Sequence, residues 1–136
     1  ATLKNKNINN FNLYAYAITN IESCNIKNFN IKDIVAYIIL YDCNIDSVIV
    51  SFKDMLRIHA RNTEINNITL TIDRNTAISP KEVKQEVIKF LKRMKSANCN
   101  KINLLNIQSR NLGFMEELKE MKDSDKYNTE IVFEQV

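Results

Sequence analysis

The chain has 136 residues, a formal net charge of +3, and hydrophobic and charged contents of 45% and 26%. Those values fit one folded domain with a single core and exclude a disordered or collagen-like chain. The longest apolar run, residues 34–41, is eight residues long, against the roughly 20 that a membrane-spanning helix needs.

No apolar leader opens the sequence at Ala1-Thr2-Leu3-Lys4-Asn5, so a cytoplasmic chain is expected. Cys24, Cys43 and Cys99 are odd in number and lack a C-x-x-C spacing, which favours buried free thiols in a reducing compartment. The chain has one Gly, one Pro and no Trp beside many Asn, Ile and Lys. The Asn-rich run 5–12 is accordingly read as the codon bias of an A+T-rich genome, not as a functional tract.

Taken in order, residues 1–10 form an N-terminal extension. Phe11–Ile18 alternates Phe11, Leu13, Ala15 and Ala17 against Asn12, Tyr14 and Tyr16, as a half-buried strand does. Asn30 suits the cap of a helix over Ile31–Tyr41, with Ile31, Ile34, Val35, Ile38 and Ile39 on its core face. Ser47–Phe52 is β-branched and strand-like, although Val48, Phe52, Met55, Leu56 and His59 also fit a helix over 47–61. Asn67–Asp73 alternates as a strand, and 74–78 is a turn.

Ser79 is an N-cap residue and Pro80 an N1 residue for a helix that runs to about Asn98. Val83, Val87, Phe90, Leu91 and Met94 form its apolar stripe. Lys101–Gln108 reads as a strand, Leu112–Lys122 as a short acidic helix or the tip of a hairpin, and Thr129–Gln135 as a final strand. The expected order is β-α-β-β-α-β-β. That order gives an α+β single domain, with two helices on one face of a mixed or mainly antiparallel sheet and 109–128 as an insert. No internal repeat is evident.

Charge is concentrated on one element. Residues 79–101 hold seven Lys/Arg against two Glu, a formal +5, so the rest of the chain sums to −2. Lys81, Lys84, Lys92 and Lys95 project away from the apolar stripe, with Lys89 and Arg93 at its flank. Such local excess points to a polyanionic partner more than average charge does. The plain alternative is a solvated helix face, with Glu82 and Glu86 giving helix support by pairing at i,i+3 and i,i+4. Residues 113–136 carry seven acids and three bases, which suits solvent or a basic neighbour.

Several strings resemble one family, the eukaryotic ribosomal large-subunit protein L twenty-two, unrelated to the bacterial protein of that number. They are Phe11-Asn12-Leu13, Ile21-Glu22-Ser23, and Asn30-Ile31-Lys32-Asp33-Ile34-Val35 at the family's interval. The paired strands Val48-Ile49-Val50-Ser51 and Ile68-Thr69-Leu70-Thr71 follow. Then come Ser79 opening the basic helix, and Lys89-Phe90-Leu91-Lys92-Arg93 within it. The chain departs from the family at Tyr14-Ala15, where Asp-Cys is usual. It also lacks the glycine-rich loop, its only glycine being Gly113, and it has longer segments at 53–67 and 112–128.

The resemblance implies a structural, non-enzymatic constituent of the large ribosomal subunit. It would sit in the cytoplasm, gripping an rRNA stem-loop beside neighbouring ribosomal proteins. Lys81, Lys84, Lys89, Lys92, Arg93, Lys95 and Lys101 would be the phosphate ligands, with Arg110 extending them. Side chains cannot read bases in the deep major groove of A-form RNA, so phosphate contacts would dominate.

Other chemistry has little to build on. His59 is the only histidine, too little for a zinc site or for a base beside Cys43 or Cys99, and it is expected at the surface or half-buried. Asp42, Asp46 and Asp54 lack the spacing of a calcium loop. One glycine cannot make a phosphate-cradling loop. No cofactor and no small-molecule substrate are expected. Tyr14, Tyr16 and Tyr41 are candidate stacking aromatics or core-edge residues. The alternative function is a protein-interaction (adaptor) domain.

Overall fold

In successive stretches of the chain the inward residues recur at one spacing, and that spacing winds the backbone into a coil. Ile21, Cys24, Ile26, Phe29 and Ile31 are buried. So are Leu40, Cys43, Ile45, Val48 and Val50, and then Ala60, Thr63, Ile65, Ile68 and Leu70. Steps of two within each set are those of a strand. Steps of three mark a first bend, at the corner between short and long strand, and a second irregularity inside each long strand, each with two residues between the inward ones. At the first bend Asn5, Ser23, Asp42 and Asn62 take positive φ of 55°, 52°, 54° and 48°. Polar Asn, Asp and Ser are suited to this left-handed corner, since glycine is absent there and short polar side chains tolerate it.

The computed structural model describes residues 2–14, 19–32, 37–53, 57–72, 79–94, 97–105, 107, 112–125 and 129–134, with backbone alone at 14, 112–115, 122, 124 and 125. Its elements in order are β1 (Thr2–Lys4), β2 (Asn7–Tyr14), β3 (Thr19–Glu22), β4 (Asn25–Lys32), β5 (Ile38–Tyr41) and β6 (Asn44–Phe52). They continue with β7 (Ile58–Arg61), β8 (Glu64–Ile72), α1 (Pro80–Arg93), β9 (Asn98–Leu105), α2 (Leu112–Asp125) and β10 (Glu130–Glu134). The short strands form one sheet in the order β1-β3-β5-β7, and the long ones a second in the order β10-β9-β8-β6-β4-β2. Every pairing is parallel. The fold is a parallel β-solenoid in which each early turn gives one strand to each sheet.

Register stacks like residues through the core. Phe11, Phe29, Val48, Ile68, Ile102 and Ile131 form one column; Leu13, Ile31, Val50, Leu70, Leu104 and Phe133 form another. Outside, carboxamides stack in the same way. Asn25, Asn28 and Asn30 donate to Asn7, Asn10 and Asn12 at 2.9, 3.2 and 2.9 Å. Asn44 donates to Asn25, Asn66 to Asp46, and Asn100 to Asn66, while Asn62 bonds Asp42. These pairs join residues 18, 19 and 20 apart, the length of one turn. The next turn spans 34, because α1 takes the place of a short strand. It packs beside β7 and buries Val87, Phe90 and Leu91. At its start, Ser79 caps by accepting from the Glu82 N–H at 3.3 Å.

Several expectations are corrected. Neither sheet is mixed or antiparallel, and the order β-α-β-β-α-β-β is replaced by eight strands, then α1, β9, α2 and β10. A hairpin needs a tight reversal, whereas each left-handed corner here only turns the chain from one sheet into the other. Strands of one sheet are therefore a full turn apart and parallel. The helix proposed over 31–41 is the end of β4 and all of β5. Ile38 and Leu40 are buried while Ile39 and Tyr41 are exposed, a period of two that overrides the apparent helical one; 33–36 lie outside the described residues. Likewise β6 and β7 hold most of 47–61. Residues 2–10 lie in or between β1 and β2, and 112–125 is helical. The internal repeat, unseen in the sequence, is the organising feature, and the Asn-rich run 5–12 is its first ladder position.

The corner makes a direct stability test. Ser23→Gly should stay within about 0.5 kcal/mol of the parent, because relief of the left-handed strain offsets the added chain entropy, whereas Ser23→Val should lose about 1–2 kcal/mol. Urea unfolding followed by circular dichroism measures both. The three thiols are free and buried, and burial pushes Cys99 up to about 11. A thiol reagent at neutral pH should thus modify none of them in the folded protein and all of them in denaturant.

Candidate nucleic-acid interface

The short-strand sheet presents its outer face between the solenoid corners and α1. Alternation along β5 sends Ile38 and Leu40 inward and Tyr37, Ile39 and Tyr41 outward, where they are 38%, 37% and 47% exposed. On β7 the same alternation buries Ile58 and Ala60 and turns Arg57, His59 and Arg61 out. Parallel register sets Ile39 against His59 and Tyr41 against Arg61. The Tyr37 and His59 rings stack with centroids 5.6 Å apart, and the Arg57 guanidinium lies 4.9 Å from the Tyr37 ring centre. A cation at that distance from an exposed ring contributes about 0.5–1 kcal/mol. The result is an aromatic and apolar strip edged by guanidinium groups.

Electrostatics mark the same edge as positive. Burial, and then the charges of Arg93 and Arg61, push the His59 imidazole below its ordinary 6.5. Arg93, at the C-terminal end of α1, therefore acts on the same ground as Arg61 of β7. Toward β1 the face is neutral, since Glu22 pairs with Lys4 at 3.3 Å.

The basic residues picked from the sequence divide. Lys81 and Lys92 are exposed on α1. Lys89 is exposed with Glu86 at 3.8 Å, the expected i,i+3 pair. Lys84 is largely covered and bonds Glu117 of α2 at 2.9 Å, so it ties two helices together. Lys101 belongs to the six-stranded sheet, aligned with Asn67 and Glu130, and is separate from the helix. Lys95 and Arg110 lie outside the described residues, as does Tyr16. Arg93 alone of the set joins the aromatic strip, beside Arg57, Arg61 and Tyr37, which the sequence did not single out, His59, half-buried as expected, and Ile39, which was expected on a helix core face and is exposed. The available signal was the alternation Tyr37-Ile39-Tyr41 followed 20 residues later by Arg57-His59-Arg61.

Elsewhere, an open depression of about 380 Å³ is lined by Asp42, Cys43, Asn44, Asn62, Glu64 and Asn98. Burial raises the Cys43 thiol pKa, and the thiol donates to the Ile21 and Tyr41 carbonyls at 3.3 Å, so it closes a corner of the coil. Among the described residues no group of three or more His, Cys, Asp or Glu is placed to hold a metal ion, and no helix is long and apolar enough to cross a membrane. Comparison with protein-family models, with curated proteins and with solved structures gives no match.

His59 supplies a pH test. Its folded pKa is depressed, so its contribution to stability is fully present above the ordinary value and is lost as pH falls through 6.5 toward the folded value. The melting temperature should drop between about pH 7 and pH 5, and His59→Gln should flatten part of that drop.

Proposed function

We propose that the protein binds RNA on the outer face of the short-strand sheet, with bases stacked on Tyr37 and Tyr41 and phosphates held by Arg57, Arg61 and Arg93. The observation that carries this proposal is the exposed Tyr37-Ile39-Tyr41 strip, aligned with a row of cationic side chains on the neighbouring strand. Aromatic rings offer a face to any unpaired base, and each stacked base contributes about 1–3 kcal/mol. Guanidinium groups match phosphate with two parallel hydrogen bonds. A flat strip between strands suits unpaired nucleotides better than a closed stem, whose bases are not free to stack.

The narrower proposal is that the RNA is ribosomal. It comes from the family resemblance, whose element order the all-parallel topology does not reproduce, so RNA binding stands on the sheet face itself. Sucrose-gradient sedimentation of a native extract, with and without ribonuclease, tests the ribosomal placement. Nuclease-sensitive migration with large subunits supports it; migration as a free small protein removes it.

Fluorescence anisotropy with a single-stranded oligonucleotide and a stem-loop of equal length tests the face. Three cationic contacts predict a slope of log K against log salt of about −2 for single strands. Tyr41→Ala should weaken binding by about 1–3 kcal/mol and Arg61→Glu should abolish it, while Lys84→Ala, away from the strip, should leave affinity unchanged. Salt-independent binding, or equal affinity in the Tyr41 variant, would refute the proposal and favour a protein-interaction role.

A further inference from the structure

The aromatic and cationic side chains of the short-strand sheet are arranged along the strands and not across them. Tyr37, Ile39 and Tyr41 follow one another on the outer side of β5, and Arg57, His59 and Arg61 do so on β7. Register matches the two rows one to one. Ile39 lies beside His59 and Tyr41 beside Arg61, and the bond from the Ile38 N–H to the Arg57 carbonyl at 3.0 Å carries the alignment back to Tyr37 and Arg57. The pattern stops at β3. There Asn20 flanks Ile39 and Glu22 flanks Tyr41, and Glu22 is the acid that pairs with Lys4. A polyanion crossing the strands would therefore leave the rings and guanidinium groups and meet a carboxylate, whereas one following β5 and β7 keeps both rows.

Spacing then selects the form of the strand. A β-strand advances about 3.3 Å per residue, so neighbouring outward side chains are about 6.6 Å apart, and Tyr37 and Tyr41 about 13 Å. The charges of a base-stacked strand repeat every ~3.4 Å, which would leave every second base between two side chains. A strand drawn out to about twice that repeat sets one base on each outward residue of β5 and one phosphate beside each outward residue of β7. At the middle step His59 is pushed toward its neutral form, with Arg93 acting on it, so the formal charges on β7 stand at the two outer steps.

Resting on the RNA-binding reading above, we infer that the ligand is an extended single-stranded segment, its bases unstacked from one another, running along β5 and β7 with three nucleotides on the sheet. The outer bases lie on Tyr37 and Tyr41 and the middle one on Ile39. The outer phosphates meet Arg57 and Arg61, and the middle one passes His59. Side-chain contacts replace the base–base stacking that extension gives up.

Fluorescence anisotropy with 3′-labelled, 5′-phosphorylated oligouridylates of two to six nucleotides tests this path. Affinity should rise steeply to three nucleotides and then level off, whereas a stacked strand needs about five to span the same distance. Ile39→Tyr, at an exposed position, should tighten binding of the trinucleotide about fivefold, the lower end of what one stacked base contributes. Affinity that keeps climbing steeply to five nucleotides, or an Ile39→Tyr variant that binds no more tightly, would overturn the extended path and leave RNA binding on this face standing. Failure of the protein to bind any of these oligonucleotides or a longer single strand would overturn both.

Discussion

The stacking of each turn on the next, side chain over like side chain, is the constraint on which the rest of this protein depends. A one-residue slip between neighbouring strands would turn Phe29, Ile31, Val48 and Val50 out to solvent and bring asparagines in. Burial decides the energy: each full-size apolar side chain moved out of water contributes about 1.5–3 kcal/mol. An exposed carboxamide pair contributes no more than the roughly 0.5–1.5 kcal/mol net of an ordinary hydrogen bond. The Asn ladders are therefore a small part of the stability. Their value is in register, because Asn25 reaches Asn7 and Asn44 reaches Asn25 only when the turns are aligned.

That constraint explains the corner. Each turn must change direction within one or two residues without glycine, and the left-handed residues Asn5, Ser23, Asp42 and Asn62 do so. The residue that follows by one, Cys24, Cys43 or Thr63, points inward and closes the corner by donating to nearby carbonyls. Thr63 keeps this role with a hydroxyl in place of a thiol, since its Oγ1 also accepts from the Cys43 N–H at 3.3 Å. Small polar side chains with one donor are what the position selects, and the cysteines are structural by that logic.

Much of this was legible in the residues but hidden by their spacing. The basic helix, its Ser79 cap, its apolar stripe and the Glu86–Lys89 pair were read correctly, because helical period and capping chemistry are local. Residues 47–61 fitted a strand and a helix alike in the sequence, and β6 and β7 decide for strand. The parallel coil was not recognised, because its signal is a recurrence over 18 to 20 residues whose corner steps interrupt the alternation. Ile31, Ile34, Val35, Ile38 and Ile39 happen to fit a helical stripe, and nothing local separates that from a strand, a corner and another strand. Asparagine abundance invited a compositional explanation, which concealed that Asn7, Asn10 and Asn12 match Asn25, Asn28 and Asn30. The candidate interface failed for the same reason. Tyr41 stood out as an aromatic, but its alignment with Arg61 exists only once the turns are stacked.

Placing α1 where a short strand would continue the sheet has a consequence for charge. A strand there would alternate inward and outward residues and share its charge between core and surface. A helix keeps Val87, Phe90 and Leu91 against the coil and carries its lysines outside, with Arg93 at the end nearest His59. The swap covers the β7 edge, which protects it from further pairing, and sets positive charge beside the aromatic strip of β5. One departure from the repeat thus concentrates positive charge on a side face suited to a polyanion.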